Sequence, residues 1–192
     1  MMAEMTPETT RSVWRIEPNE SQIRFTVEFL TLTTASGVVR NFQGVIHYDE
    51  GEPTRSSVEA TIDPRSIETG DPTRDAHLRS PDFFDVERFP TIVFRSRKIV
   101  GQGGPHYEVV GDLTVRDITR EVTLAVTYQG ESIDFAGRRH AEFNARATVA
   151  PADFGLSWNA DLAAGWIPVG DRGTIVIHVE AIRAVPNTYQ RS

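Results

Sequence analysis

Residues 122–128 read VTLAVTY: the large apolar side chains Val122, Leu124, Val126 and Tyr128 fall on every second position, with Thr123, Ala125 and Thr127 between them. A period of two marks a strand with one buried face, because successive side chains of an extended chain point to opposite sides. The alternation recurs in Ile23, Phe25, Val27 and Phe29, in Phe42, Gly44, Ile46 and Tyr48, and in Val58, Ala60 and Ile62. Further along it returns in Val109, Gly111, Leu113 and Val115, in Phe143, Ala145, Ala147 and Val149, and in Ile175, Ile177 and Val179. With residues 91–94 these make about eight strands, punctuated by the turn signals Asp49-Glu50-Gly51, residues 101–105 and Gly137. Helical periodicity is nearly absent. Strands that each hide one face predict an all-β fold, either a sandwich or a closed antiparallel barrel, and closure removes the exposed edges. The barrel is the expected architecture.

The chain has 192 residues, within the range of one domain. The barrel is expected over residues 13–184, with tails at 1–12 and 185–192. Asp and Glu number 27 against 20 Lys and Arg, a net charge of −7, so the summed field repels nucleic-acid phosphates. No run approaches the roughly 18 apolar residues of a membrane-spanning helix. The opening MMAEMTPETTRSVW carries Glu4 and Glu8 where a secretory leader is basic and apolar, which predicts a cytoplasmic protein. There is no cysteine, so a thiolate nucleophile is excluded, and Lys98 is the lone lysine, so a Schiff-base lysine would have to be Lys98.

One helix is expected. Gly70-Asp71-Pro72 supplies a break, an N-cap carboxylate and a proline at the first helical position, and Ser80-Pro81 ends the run. The helix over residues 72–79 is too short to stand alone and needs packing partners such as Leu78, Phe83, Phe84 and Phe89.

Catalytic patterns are sparse. His47, His77, His106, His140 and His178 are scattered, none with another histidine at metal-ligand spacing, and no Gly-x-Ser-x-Gly elbow occurs. Gly101-Gln102-Gly103-Gly104 reads as a hairpin turn, and Asp153 and Asp171 as loop carboxylates. Neither a metal nor a resident cofactor is expected.

The segment RDAHLRSPDFFDVERFPTIVF at residues 74–94 resembles the signature of the YceI-like, polyisoprenoid-binding family. So do VGDLTV at 110–115, ADFGL at 152–156 and PVGD at 168–171, together with Trp14-Arg15-Ile16 followed by SQIRF at 21–25. The resemblance runs from about Val13 to Ala184. It implies an extended, lipocalin-like barrel of eight antiparallel strands with a long apolar cavity, which holds a polyisoprenoid chain or a related amphiphile such as an isoprenoid quinone. A homodimer is compatible with it.

Two readings of the barrel interior follow from the residues. Gly44, Ala60, Gly111, Ala145 and Ala147 interleave with aromatics, which either leaves a tunnel or fits the taper of a solid core; the resemblance points to the tunnel. The expected ligand contacts are Phe25, Phe42, Phe94 and Phe143 along the wall, with Leu78, Phe83, Phe84 and Trp158 at the mouth. Arg74 and His77 face the headgroup in one reading of the polar stretch. In the other, Arg74, Asp75 and Arg79 pair with neighbouring carboxylates and carbonyls and fix the helix across the barrel. Trp158 and Trp166 suit a cavity entrance, a subunit contact or plain core packing. The expected function is non-catalytic carriage of a hydrophobic small molecule; the alternatives are an enzyme using His77 and Asp75 as acid and base, and a ligand-free interaction module.

Overall fold

The structure, a computed structural model, describes residues 11–28, 34–156 and 172–185. Its strands are β1 (Arg11–Ile16), β2 (Gln22–Glu28), β3 (Thr34–Val39), β4 (Phe42–Asp49), β5 (Ser57–Ile62) and β6 (Ile67–Glu68). After α1 (Pro72–Arg79), the single α-helix among the described residues, come β7 (Ile92–Gly103), β8 (His106–Val115), β9 (Ile118–Ile133), β10 (Arg139–Val149) and β11 (Arg172–Arg183). All pairings are antiparallel.

These eleven segments are pieces of eight long strands. β1 pairs with β4 and β2 with β3 in nearly one register, Arg11 opposite Asp49 and Glu28 opposite Thr34, so 11–28 and 34–49 form one interrupted hairpin. In the same way β4 pairs with β5, and β3 with β6. β7 to β11 follow as a meander, and β11 then closes the ring by pairing with β2 along residues 172–178 and with β1 at Ile16, Arg15 and Trp14. The fold is a closed eight-stranded antiparallel barrel.

The interruptions have local causes. Pro18 lacks the N–H a ladder needs, and at this break Ser21 substitutes a side chain for the backbone: its Oγ accepts from Glu180 N at 2.9 Å and donates to Glu180 O at 3.2 Å. Between β5 and β6, Pro64 breaks the ladder and Ser66 Oγ accepts from Asn41 N at 2.9 Å.

Register also defines two ends. Glu28, Thr34, Val115, Ile118, Val149 and Arg172 lie at one, which receives α1; Arg11, Asp49, Gly103, His106 and Arg183 lie at the other. β1 begins at Arg11, two residues before the expected domain start, because Arg11 and Ser12 pair with Asp49 and Tyr48 and the buried Ser12 accepts a hydrogen bond from Trp14 Nε1 at 2.9 Å.

The helix follows its sequence signals. Asp71 Oδ1 accepts from Thr73 N and Arg74 N, Pro72 is the first helical residue, and Ser80 N and Oγ both donate to His77 O. Phe84 N donates to Leu78 O and Asp85 N to Ser80 O, which turns the chain back and brings Phe83 and Phe84 beside Leu78.

Candidate functional site: an apolar cavity along the barrel

The inward faces of the strands do not fill the barrel. They enclose a cavity of about 390 Å³, within the range of pockets that hold small molecules. Its wall is the alternating series: Val122, Leu124 and Val126 from β9, Ile175, Ile177 and Val179 from β11, and their counterparts on the other strands. Thus the period of two that builds the sheet also makes the wall apolar. Of the residues expected to touch a ligand, Phe25, Phe42, Phe94 and Phe143 line the cavity along the strands. Leu78, Phe83 and Phe84 line it at the helix end, with the Phe83 and Phe84 rings edge to face at 4.8 Å. Trp158 lies outside the described residues, as do Trp166, Asp171 and the PVGD segment.

Not every small residue opens space. Ala60, Ala145 and Ala147 face the cavity, but Gly111 and Gly44 are covered. A Cβ on Gly111 would stand 2.6 Å from Phe94 Cζ and 2.5 Å from Arg95 O; one on Gly44 would stand 2.5 Å from Ile16 Cδ1. Gly37 does the same for Phe25, whose Cζ would be 2.5 Å away. Absent side chains on one strand let the Phe25 and Phe94 rings lie close against the neighbouring strand's backbone. The glycines therefore widen the lumen indirectly, by letting rings lie flat.

At the helix end the polar residues hold structure together. Asp75 is buried, and its Oδ1 accepts from Thr69 N at 2.9 Å and Thr69 Oγ1 at 2.6 Å. Arg74 lines the cavity, yet its Nε donates to Thr69 Oγ1 at 2.8 Å and its Nη2 to Thr69 O at 3.0 Å. Arg79 Nε donates to Arg65 O at 2.9 Å and Nη2 to Ile67 O at 3.3 Å. Two arginines and one carboxylate so fasten α1 to the strand it follows. His77, expected with Arg74 at a headgroup, is not among the cavity-lining residues. Asp75 Oδ1 is engaged by both Thr69 donors.

At the opposite end a smaller cavity of about 100 Å³ abuts the first, sharing Ile46, Tyr48, Tyr107 and Phe143 with it and adding Trp14, Tyr128, Glu131 and Ala141. Burial, and secondarily Tyr107 and Glu131, pushes the Tyr48 phenol up from its ordinary value. Burial also raises Tyr128, with the Glu131 charge and a hydrogen bond to Glu131 acting in the same direction. Both phenols therefore keep their protons, and Tyr128 donates to Glu131.

A YceI-like domain model matches residues 14–181, most of the chain. The chain belongs to the YceI-like family. A UPF0312 protein of Serratia proteamaculans is 33% identical over 162 residues, covering 84% of this chain and 81% of its own, and protein YceI of Salmonella newport is 29% identical over 167 residues, covering 87% and 84%. Among solved structures, Burkholderia cenocepacia BcnA superposes with a TM-score of 0.74 at 22% identity, over 86% of this chain and 98% of its own. A polyisoprenoid binding domain from Saccharophagus degradans superposes with a TM-score of 0.67 at 11% identity, over 91% and 100%. Both structures share the barrel fold of this chain.

In this YceI-like barrel the tyrosine end is the feature that sequence reading passes over. Tyr48, Tyr107 and Tyr128 each continue the inward series of a different strand, β4, β8 and β9. The available signal was their amphipathic type at strand positions of inward parity. Their convergence depends on the register that brings the three strand ends around Trp14.

Proposed function

We propose that this YceI-like chain is a non-catalytic carrier of a long-chain apolar or amphiphilic lipid of the polyisoprenoid or isoprenoid-quinone class, held in the barrel. The observation that carries this reading is the 390 Å³ cavity, whose wall is built almost wholly from aliphatic and aromatic side chains. The name of the Saccharophagus degradans neighbour, a polyisoprenoid binding domain, points to the same ligand class.

The energetics suit such a ligand. Each buried CH₂ gains about 0.8 kcal/mol, so one isoprene unit gains roughly 4 kcal/mol before ordering costs. Two or three units bind tightly without a polar contact. In this reading Phe25, Phe42, Phe94 and Phe143 flank the chain, while Leu78, Phe83 and Phe84 meet it at the helix end. No step of bond making is assigned, since Asp75, Arg74 and Arg79 are occupied in holding α1.

Native mass spectrometry of the purified protein, followed by organic extraction, tests the reading. A stoichiometric isoprenoid or quinone in the extract is the expected result. A mass equal to the bare chain, unchanged after incubation with polyprenyl compounds and quinones, overturns it. The expected cytoplasmic location and homodimer are separate proposals, checked by cell fractionation and by light scattering.

A further inference from the structure

The β9–β10 hairpin reaches past the rest of the sheet. β8 pairs with β9 as far as Thr127 and β11 with β10 as far as His140, so residues 134–138 lie beyond the last paired position of either neighbour. This tip carries apolar side chains into water. Phe135 is fully exposed and Ile133 is 68% exposed, two of the four exposed large apolar side chains among the described residues. Such residues scattered singly on a surface are ordinary, but two on one projecting turn mark a contact.

The turn is built to hold them out. Asp134 Oδ1 accepts from Ala136 N and Arg138 N, both at 2.9 Å, Asp134 N donates to Arg138 O, and Gly137 N donates to Asp134 O, with Gly137 at φ +77°. Charge is cancelled within the same few residues. Asp134 Oδ2 takes Arg138 Nε at 2.7 Å and lies 3.0 Å from His140 Nε2, while Glu131 pairs with Arg139 at 3.2 Å. Hydrogen bonds, from the Arg138 backbone first and then from His140, hold the Asp134 carboxyl well below the usual carboxylate range. The tip therefore presents apolar groups ringed by ion pairs that are already closed.

We propose that the β9–β10 hairpin tip is a membrane-docking element that inserts Phe135 and Ile133 into the interface of an uncharged, zwitterionic lipid surface. The area of the patch decides between a bilayer and a protein. One buried aromatic side chain covers about 150–250 Å², so even with Ile133 the tip falls well short of the roughly 800 Å² per partner of a stable protein interface. A bilayer asks only that apolar side chains pass the headgroup layer. Charge selects the kind of bilayer: the chain's net charge of −7 and the paired Arg138 and Arg139 offer nothing to an anionic surface. Tyr128, Glu131, Ala141 and Phe143 of the same hairpin line the small cavity, so docking sets the tyrosine end of the barrel against the lipid and leaves α1 in water. The proposal goes beyond the carrier reading and does not depend on it.

The test is co-flotation of the full chain with phosphatidylcholine vesicles. The parent is expected to float, and F135S should lower its partitioning roughly tenfold or more, with I133S/F135S lower still. Thermal unfolding of F135S should match the parent, because the ring touches no core. The chain has no cysteine, so A136C takes a single environment-sensitive fluorophore, and its emission should shift to the blue on adding vesicles. The same label at A76C, exposed on α1, should not shift. A parent that stays in solution, flotation unchanged in I133S/F135S, or a shift at position 76 in place of 136 overturns the proposal. So does a dimer that F135S abolishes, which would make a second copy the occupant, or a gain of tenfold or more on replacing half the lipid with phosphatidylglycerol. Failure to bind vesicles removes the docking element alone; the carrier reading falls only if no isoprenoid or quinone binds the barrel.

Discussion

Filling the middle of the cavity is the sharpest perturbation of the carrier reading. Ala145 lies on β10 opposite Val126 on β9 and Ile177 on β11, and all three line the cavity. In A145F a phenyl ring enters that space. A cavity of about 150 Å³ accommodates a benzene, so the ring takes roughly a third of the 390 Å³ available. It displaces about four or five methylene-sized groups of a bound chain, which at ~0.8 kcal/mol each amounts to roughly 3–4 kcal/mol. At about 1.4 kcal/mol per decade the affinity for a polyprenyl alcohol should fall between one hundred- and one thousand-fold. Ala145 is half-buried and borders open lumen, so the fold should persist. Ala147 also faces the cavity but is 3% exposed within the main core cluster, so A147F should add about 1–3 kcal/mol of overpacking to the same loss of binding. The assay is titration of purified variants with the alcohol, with urea unfolding as the control. A folded A145F that binds like the parent would show that the chain does not occupy this part of the barrel.

The remaining predictions concern the scaffold. G111A puts a methyl 2.5 Å from Arg95 O, which is backbone and cannot step aside, so it should destabilise by about 1–3 kcal/mol in urea unfolding and, by displacing Phe94 into the lumen, weaken ligand binding as well. D75A deprives Thr69 of two hydrogen bonds to a buried carboxylate; a loss of about 1.5–3 kcal/mol is expected, and less than about 0.5 kcal/mol would mean α1 is held by its apolar contacts instead. His140 sits between Asp134, 3.0 Å from Nε2, and Glu180, 2.5 Å from Nδ1, and these carboxylates, Asp134 first, raise its pKa above the ordinary value near 6.5. Its stabilisation is therefore fully present below about pH 6.5 and disappears as pH rises through the higher folded value. The thermal midpoint should decline over that interval in the parent and decline less in H140Q; parallel curves would discard the imidazolium as a contributor.

The barrel was legible because its cause is local. Period two in 122–128 and its repeats follows from the geometry of an extended chain, and the same series reappears as the cavity wall. The helix was legible for the same reason, since Asp71, Pro72 and Ser80 act within one turn of their own positions. What sequence alone left open was whether the interior is empty or filled. That depends on how much volume neighbouring strands leave once they are closed, and Gly44 and Gly111 illustrate the difficulty: as bare residues they suggest free space, yet Ile16 and Phe94 cover them. Composition likewise could not say whether Arg74 and Asp75 face a ligand or each other's surroundings, because Thr69 precedes both and only the packed turn shows it taking their polar atoms.

The tyrosine compartment marks the boundary between the two kinds of knowledge. Sequence determined that Tyr48, Tyr107 and Tyr128 continue inward-facing series, since parity along a strand is an intrinsic property of the backbone. Only the tertiary structure decided that they meet, because β4, β8 and β9 reach the same end of the barrel through pairing registers set by distant turns and by the closure of β1 on β11. Parity is read within one strand, whereas convergence is a sum over all eight.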